Sequence, residues 1–177
     1  IPDLQFEKMF MNLRYILLLS ISKFEASSEI LRFQSALALQ CHTNEYIYTQ
    51  TKVETETLEQ LAFKVKTCLL NGKQPKPQDV LCLASYNSLH EYEWHLSLTT
   101  SPEIEEVINR QVLEPKEEND LKKDIPSLSR ITDSVSLKVA RQYEENPYPR
   151  WINLRLSLRP RSISEVLKEL NLKLFDQ

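Results

Sequence analysis

The side chains in this chain that could act as nucleophiles, bases or metal ligands are few and poorly spaced for those roles. Cys41 and His42 are neighbours, and a helix turns successive side chains about 100° apart, so only the fold could make them a nucleophile and base. His90 and His95 are separated by about 140° on a regular helix, which cannot offer both to one metal ion. No G-x-S-x-G elbow occurs. These patterns favour a chain without a catalytic centre.

A different kind of candidate site follows Glu145, in residues 146–151, which we call the strap. Each of its two prolines fixes its own φ and pushes the preceding residue out of the α region, so Asn146 and Tyr148 are predicted to be extended. Such a stiff backbone presents Tyr148, Arg150 and Trp151 at low entropic cost when it docks. The alternative interpretation is a rigid linker whose rings pack on a neighbour.

The strap and the residues before it resemble a region of a bacterial protein family. The resemblance is most specific at residues 142–151 and continues upstream through Ile125-Pro126-Ser127-Leu128, Ile131-Thr132-Asp133-Ser134-Val135-Ser136 and Val139-Ala140-Arg141-Gln142. Members of that family carry a tetratricopeptide repeat array, an all-helical middle segment and a class I S-adenosylmethionine-dependent methyltransferase. A second stretch is similar to their middle segment: Gln40-Cys41-His42-Thr43-Asn44-Glu45-Tyr46-Ile47-Tyr48.

This resemblance implies a non-catalytic segment that positions substrate-recruiting repeats against a catalytic domain whose cofactor is S-adenosylmethionine. It also implies that five residues contribute to the entrance of the cofactor pocket in the parent protein: Tyr143, Asn146, Tyr148, Arg150 and Trp151. A purely structural role, holding the two domains together, is the open alternative. Tyr143 shares a helix face with Val135 and Val139, and is therefore expected to pack rather than catalyse.

The chain departs from the family in lacking the glycine-rich cofactor loop. Gly72 is its single glycine, whereas such a loop needs several for positive φ angles and close approach to the ligand. We therefore expect no cofactor in this chain and a catalytic domain that is absent from it. The start at Ile1 and the end just past a predicted helix also fit a piece of a longer protein.

Composition limits the partners and the compartment. A net charge of −3 argues against broad affinity for nucleic acid, although one aromatic, Trp151, lies among arginines. Three cysteines without metal spacing fit a reducing, cytoplasmic environment. The most apolar run, Tyr15 to Ile21, is too short to cross a membrane. We expect the partners to be proteins, or the adjoining repeat and catalytic domains.

Hydrophobic periodicity predicts an all-α fold, a helical bundle or solenoid-like array of about seven to nine helices, with the extended strap near the C-terminus. No 34-residue repeat is found. The predicted helices begin and end as follows: a first from Phe6 to Phe24, buried on most sides; a second capped by Ser27 or Ser28; a third from about Glu54 to Asn71, ended by Gly72; a fourth opened by Asp79 and running to about Leu89; and one starting at Ser101-Pro102-Glu103.

The C-terminal part is predicted to form a separate region, 125–177, after a helical domain at 1–124. Asp133 is placed to cap a helix from Ser134 to Glu145. Ser162 and Glu165 form a capping box before an amphipathic stripe made of Val166, Leu167, Leu170 and Leu174. Without a partner surface, this last helix could join two copies of the chain. A free-standing protein interaction module, unrelated to methyltransferases, is the rival interpretation of the whole chain.

Overall fold

The computed structural model describes residues 4–124 and 133–145, together with Ser162 and Glu165. All regular elements in these residues are helical, which confirms the predicted all-α class. The chain divides into two compact units, Ile1–Leu128 and Ser129–Gln177. None of the described helices is both long enough and apolar enough to span a bilayer. The strap lies outside the described residues.

The described residues form six helices. Helix α5 is continuous but changes geometry twice, and two short 3₁₀ turns, Leu89–Glu91 and His95–Ser97, precede it. The helices are α1 (Leu4–Ser20), α2 (Ser28–Thr43), α3 (Lys52–Leu70), α4 (Pro77–Ala84), α5 (α-helical Glu105–Ile108, π-helical Asn109–Leu113 and α-helical Glu114–Lys122) and α6 (Ser134–Glu145). This number is below the seven to nine predicted for the chain; of the predicted helix after Ser162, only Ser162 and Glu165 lie in the described residues.

Helix α4 lies at the centre of the first unit. Its residues from Gln78 to Ala84 are all buried, and it contacts α1, α2 and α3. A short helix that is covered on every side needs neighbours all around it, which explains why three longer helices surround it. The core around α4 includes Leu18, Leu58, Leu61, Val65, Leu81, Leu83, Tyr86, Leu89, Val107 and Ile108.

Local capping signals are correct at Ser27, Asp133 and Ser162. Ser27 caps α2, and the Asp133 carboxylate accepts a hydrogen bond from the Ser136 backbone N–H at 2.7 Å to cap α6. Ser162 and Glu165 form the reciprocal capping box, with distances of 2.9 and 3.3 Å. A further capping box, Thr51 with Glu54, opens α3 and was not predicted. Each cap satisfies backbone N–H groups that the helix itself leaves free.

The prediction for the first helix is wrong in two respects. Helix α1 ends at Ser20 rather than Phe24, because the carbonyl oxygens of Ile21 and Phe24 each accept a hydrogen bond from the Gln78 side chain at 3.0 Å. It is also not buried on most sides, since Arg14 and Leu18 are its only buried residues. Within the predicted stripe Phe6 is exposed, whereas Phe10 and Leu17 are half-buried against a small core cluster.

Two further helix boundaries differ from prediction. Helix α4 starts at Pro77, not after Asp79, and stops at Ala84, where the Ser85 hydroxyl donates to the carbonyl oxygen of Cys82 at 2.7 Å. At the start of α5, the Ser101 hydroxyl donates to the Glu103 carboxylate at 2.6 Å within a turn, so the helix begins only at Glu105.

Gly72 ends α3 as predicted. Its φ is +69°, and Lys73 N–H donates to the Cys68 carbonyl oxygen at 3.1 Å, closing the left-handed end of the helix.

We predict that Gly72→Ala lowers the free energy of unfolding by about 1–2 kcal/mol, because an L side chain is strained at positive φ. A Cβ added to residue 72 would have no atom within 4 Å of it, so the loss would come from backbone strain and not from a clash. Urea denaturation measures it. Gly72→Asn is the matched control and should lose clearly less, since asparagine tolerates this region. Equal losses for the two variants would contradict the strain explanation.

Candidate functional site

Of the five residues predicted to line a cofactor pocket, only Tyr143 lies in the described part of the chain. It is on α6 and 62% exposed, and Val135 and Val139 on the same helix are also exposed. The other four, Asn146, Tyr148, Arg150 and Trp151, lie outside the described residues. Their place at a pocket entrance stays a prediction.

The second stretch that carries the family resemblance, residues 40–48, forms the end of α2 and a loop that turns the chain back toward α1. Glu45 and Tyr46 have φ angles of 57° and 53°, a left-handed conformation that costs roughly 1–2 kcal/mol for each non-glycine residue. The turn is closed by Tyr46 N–H, which donates to the Cys41 carbonyl oxygen at 2.9 Å. The Tyr46 hydroxyl donates to the Ala84 carbonyl oxygen at the end of α4, at 3.3 Å.

The Cys41 side chain serves packing in this loop rather than nucleophilic chemistry. It is fully buried and clusters with Leu37 and Tyr48. Burial raises the pKa of the Cys41 thiol to about 11, so it is protonated at neutral pH. His42, its neighbour, is only half-buried and its Nδ1 lies 3.4 Å from the Tyr46 hydroxyl. A protonated, enclosed thiol is a poor nucleophile.

The strongest concentration of buried charge in the described residues surrounds Arg14 on α1. Its guanidinium donates to the carbonyl oxygen of Thr49 at 3.0 Å, and makes longer contacts of 3.4 and 3.5 Å with those of Tyr48 and Ser85. The same group lies 4.1 Å from the ring centroid of Tyr86 and 5.4 Å from that of Tyr48, within the range of cation–π attraction. Arg14 is 1% exposed.

Each tyrosine ring that faces Arg14 is tied at its far end to a carboxylate. The Tyr86 hydroxyl donates to Glu54 at 2.7 Å, and the Tyr48 hydroxyl donates to Glu7. A phenol that donates to an anion carries a more negative ring, which strengthens its attraction for the guanidinium. Arg14 itself forms no ion pair among the described residues. We call Arg14, Tyr48, Tyr86, Glu7 and Glu54 the arginine cluster.

Tyr48, Tyr86 and Glu54 each keep one protonation state at neutral pH. Burial, followed by the hydrogen bonds to their carboxylates, raises the pKa values of Tyr48 and Tyr86 far above the ordinary range, so both stay neutral donors. Burial would also raise the pKa of Glu54, but hydrogen bonds from Thr51 and Tyr86 and the charge of Arg14 outweigh it and lower that pKa. Phenols that stay protonated and a carboxylate that stays ionised suit structure better than proton transfer.

Two buried glutamines complete the polar framework. Gln111, in the π-helical part of α5, accepts from the Leu89 N–H at 3.1 Å and donates to the carbonyl oxygens of Ala84 and Ala38 at 3.1 and 3.4 Å. Gln78 fixes the loop after α1, and its Oε1 accepts from the Ala26 N–H at 2.8 Å. The π-helical turn thus places the Gln111 side-chain amide within hydrogen-bonding distance of three chain segments.

The histidines offer no metal site in the part of the chain that the structure describes. His90 Nδ1 lies 2.8 Å from the Ser88 hydroxyl, and His95 Nδ1 lies 2.7 Å from the Tyr92 carbonyl oxygen. No group of three or more metal-ligating side chains comes together in residues 4–124 and 133–145. The recess between α1, α2 and α4, next to Gln34 and Ser85, leaves no space for a water molecule.

The arginine cluster was not predicted from the sequence. A signal was present: Glu7, Arg14 and Leu18 recur at seven- and four-residue spacing, which places them on one helix face. The tyrosine partners come from the end of α4 and from the loop after α2. Their approach depends on the tertiary fold, and no local pattern predicts it.

We predict that Arg14→Met lowers the free energy of unfolding by about 3–5 kcal/mol, because it leaves Glu54 and three carbonyl oxygens without their cation and donor. Lys8→Met on the exposed side of α1 is the matched control and should change it by no more than about 0.5 kcal/mol. Urea denaturation of both variants measures these two changes in the free energy of unfolding. A change of similar size in the two would show that Arg14 is not a structural centre.

We also predict an acid-sensitive contribution from Glu54. Its pKa in the folded chain is below the ordinary value of 4.5, so its stabilising effect is complete above that pH and disappears as the pH falls through the lower folded value. Glu54→Gln removes this titration. The difference in unfolding free energy between the wild type and this variant, measured by urea denaturation from neutral to acidic pH, should therefore shrink as the pH falls. A difference independent of pH would contradict the lowered pKa.

Comparison with known proteins adds no family to this description. No protein-family model, no curated protein and no solved structure matches the chain.

Proposed function

We propose that this chain is a non-catalytic helical scaffold from a repeat-containing S-adenosylmethionine-dependent methyltransferase, and that it positions substrate-recruiting repeats against the catalytic domain. The proposal starts from the sequence resemblance of residues 40–48 and 142–151 to the middle segment of such proteins. In the parent protein, S-adenosylmethionine would bind in the catalytic domain.

The observation that carries the scaffold role is the use of residues 40–48 inside the fold. Cys41 and Tyr48 are buried, Tyr46 bonds to the end of α4, and the Tyr48 backbone and ring both contact Arg14. The most chemically distinctive side chains of this stretch are therefore occupied in holding α1, α2 and α4 together. A segment whose characteristic residues are used for architecture is suited to holding other domains in place.

We further propose that helix α6 presents the strap to the catalytic domain of the parent protein. Asp133 fixes where the helix begins, and its last residue, Glu145, directly precedes Asn146. The N-cap stabilises the helix whose last residue leads into the strap. The strap residues Tyr148, Arg150 and Trp151 would then act at, or beside, the entrance of the cofactor pocket of the parent protein.

The rival function is a free-standing module that binds another protein. The exposure of Val135, Leu137, Val139 and Tyr143 on α6 favours it, because a helix with several exposed large apolar side chains usually marks an interaction surface. The two functions differ in what the gene encodes after Gln177: a glycine-rich strand–loop–helix for the methyltransferase, or a stop codon for the module.

We predict that S-adenosylmethionine, titrated calorimetrically, binds the chain when it is extended to the stop codon of its gene and not the 177-residue chain alone. Within the extended protein, Tyr148→Ala or Arg150→Ala should weaken binding by about tenfold if the strap borders the pocket, which corresponds to about 1.4 kcal/mol. Lys138→Ala on α6 is the control and should leave binding unchanged. Extended protein that binds no S-adenosylmethionine would exclude the methyltransferase assignment and leave the interaction module.

A further inference from the structure

Helix α1 has an apolar face in addition to the one that packs in the core. Phe6, Met9 and Ile16 are 57%, 42% and 58% exposed, and Leu13 between them is half-buried. At 100° per residue these four side chains fall on the side of the helix opposite Arg14 and Leu18, its two buried residues. We call Phe6, Met9, Leu13 and Ile16 the outer seam.

The spacing of the outer seam is that of a helix made to pair with another helix. Its residues are separated by three, four and three positions, the a and d pattern of a heptad. They cover about three turns, or roughly 15 Å of helix. The spacing is the same from either end of the helix. Two copies packed antiparallel therefore place each residue of the seam opposite a seam residue of the other copy.

We propose that the outer seam is a self-association surface on which α1 of a second copy packs antiparallel, related by a two-fold axis. In that arrangement Phe6 meets Ile16 of the other copy and Met9 meets its Leu13, so that each layer pairs an a with a d position. This inference rests on the first unit of the chain alone and holds whichever proposed function is correct.

The residues beside the outer seam favour a second copy over a different partner. Gln5, Phe10, Asn12, Leu17 and Leu19 occupy the e and g positions, and none of them is charged. Charges at these positions normally select a partner and set its orientation. Their absence removes repulsion between identical helices and provides no means of choosing another protein.

The size of the outer seam predicts a weak dimer. Four partly exposed side chains offer each copy well under the roughly 800 Å² of a standard interface. We therefore expect half-association at protein concentrations on the order of 100 µM, the weak end of specific complexes.

Sedimentation velocity on the whole chain, from about 10 µM to about 1 mM, tests the proposal across this range. The measured mass should rise from that of one chain toward that of two as the protein concentration increases. Met9→Glu and Ile16→Glu should each weaken association at least tenfold, because they place a charge within the apolar layers. Phe63→Glu is the matched control: Phe63 is 71% exposed but lies on α3, and its variant should associate like the wild type. Urea midpoints of all variants establish that they are folded.

A mixing experiment tests the antiparallel orientation. Met9→Glu chains mixed with Leu13→Lys chains should form a heterodimer at least tenfold tighter than either variant alone, since the opposite charges then meet in one layer. Parallel helices would not bring these positions together.

Two outcomes overturn the proposal. One is a chain that stays monomeric at every concentration. The other is a dimer that survives both glutamate substitutions but is lost in Leu170→Glu, which would assign association to the C-terminal stripe.

Discussion

The first unit depends on keeping one guanidinium charged in its interior. Moving an ion out of water costs several kcal/mol, and a partner close by must offset that cost. Arg14 has no direct carboxylate partner in the described residues; backbone carbonyl oxygens and two tyrosine rings stabilise it instead. Those groups come from the end of α4 and from the loop after α2, and the Tyr86 hydroxyl also bonds Glu54 at the start of α3. One side chain of α1 therefore fixes the relative positions of four helices.

This requirement explains the backbone around Glu45 and Tyr46. Two successive left-handed residues without glycine are strained, and such a conformation persists only when its surroundings fix it. The surroundings here are the Tyr46 hydroxyl bond to α4 and the Tyr48 and Thr49 carbonyl oxygens that face Arg14. The strain is located in residues 40–48, in the turn that joins the end of α2 to its contacts with α1 and α4.

What could be predicted from the sequence follows from the range of each interaction. The caps at Ser27, Asp133 and Ser162 were correct because each joins residues three positions apart. The end of α1 could not be predicted, since Gln78 supplies the hydrogen bonds from more than 50 residues away. The arginine cluster could not be predicted for the same reason, since its members are also far apart in the sequence. Apolar periodicity shows that a helix has a packing face, and it does not show whether that face is covered within the chain.

Helix α1 has both a face that is covered within the chain and a face that is not. Its inner face carries Glu7, Arg14 and Leu18, and its outer face carries Phe6, Met9 and Ile16, so the more polar face is the buried one. The cost of burying Arg14 can be offset only by the fixed partners of the folded unit, whereas the outer face needs only another apolar surface. The inner face therefore specifies the tertiary structure. The outer face is left for association, and a helix with this distribution is better explained by two packing partners than by one.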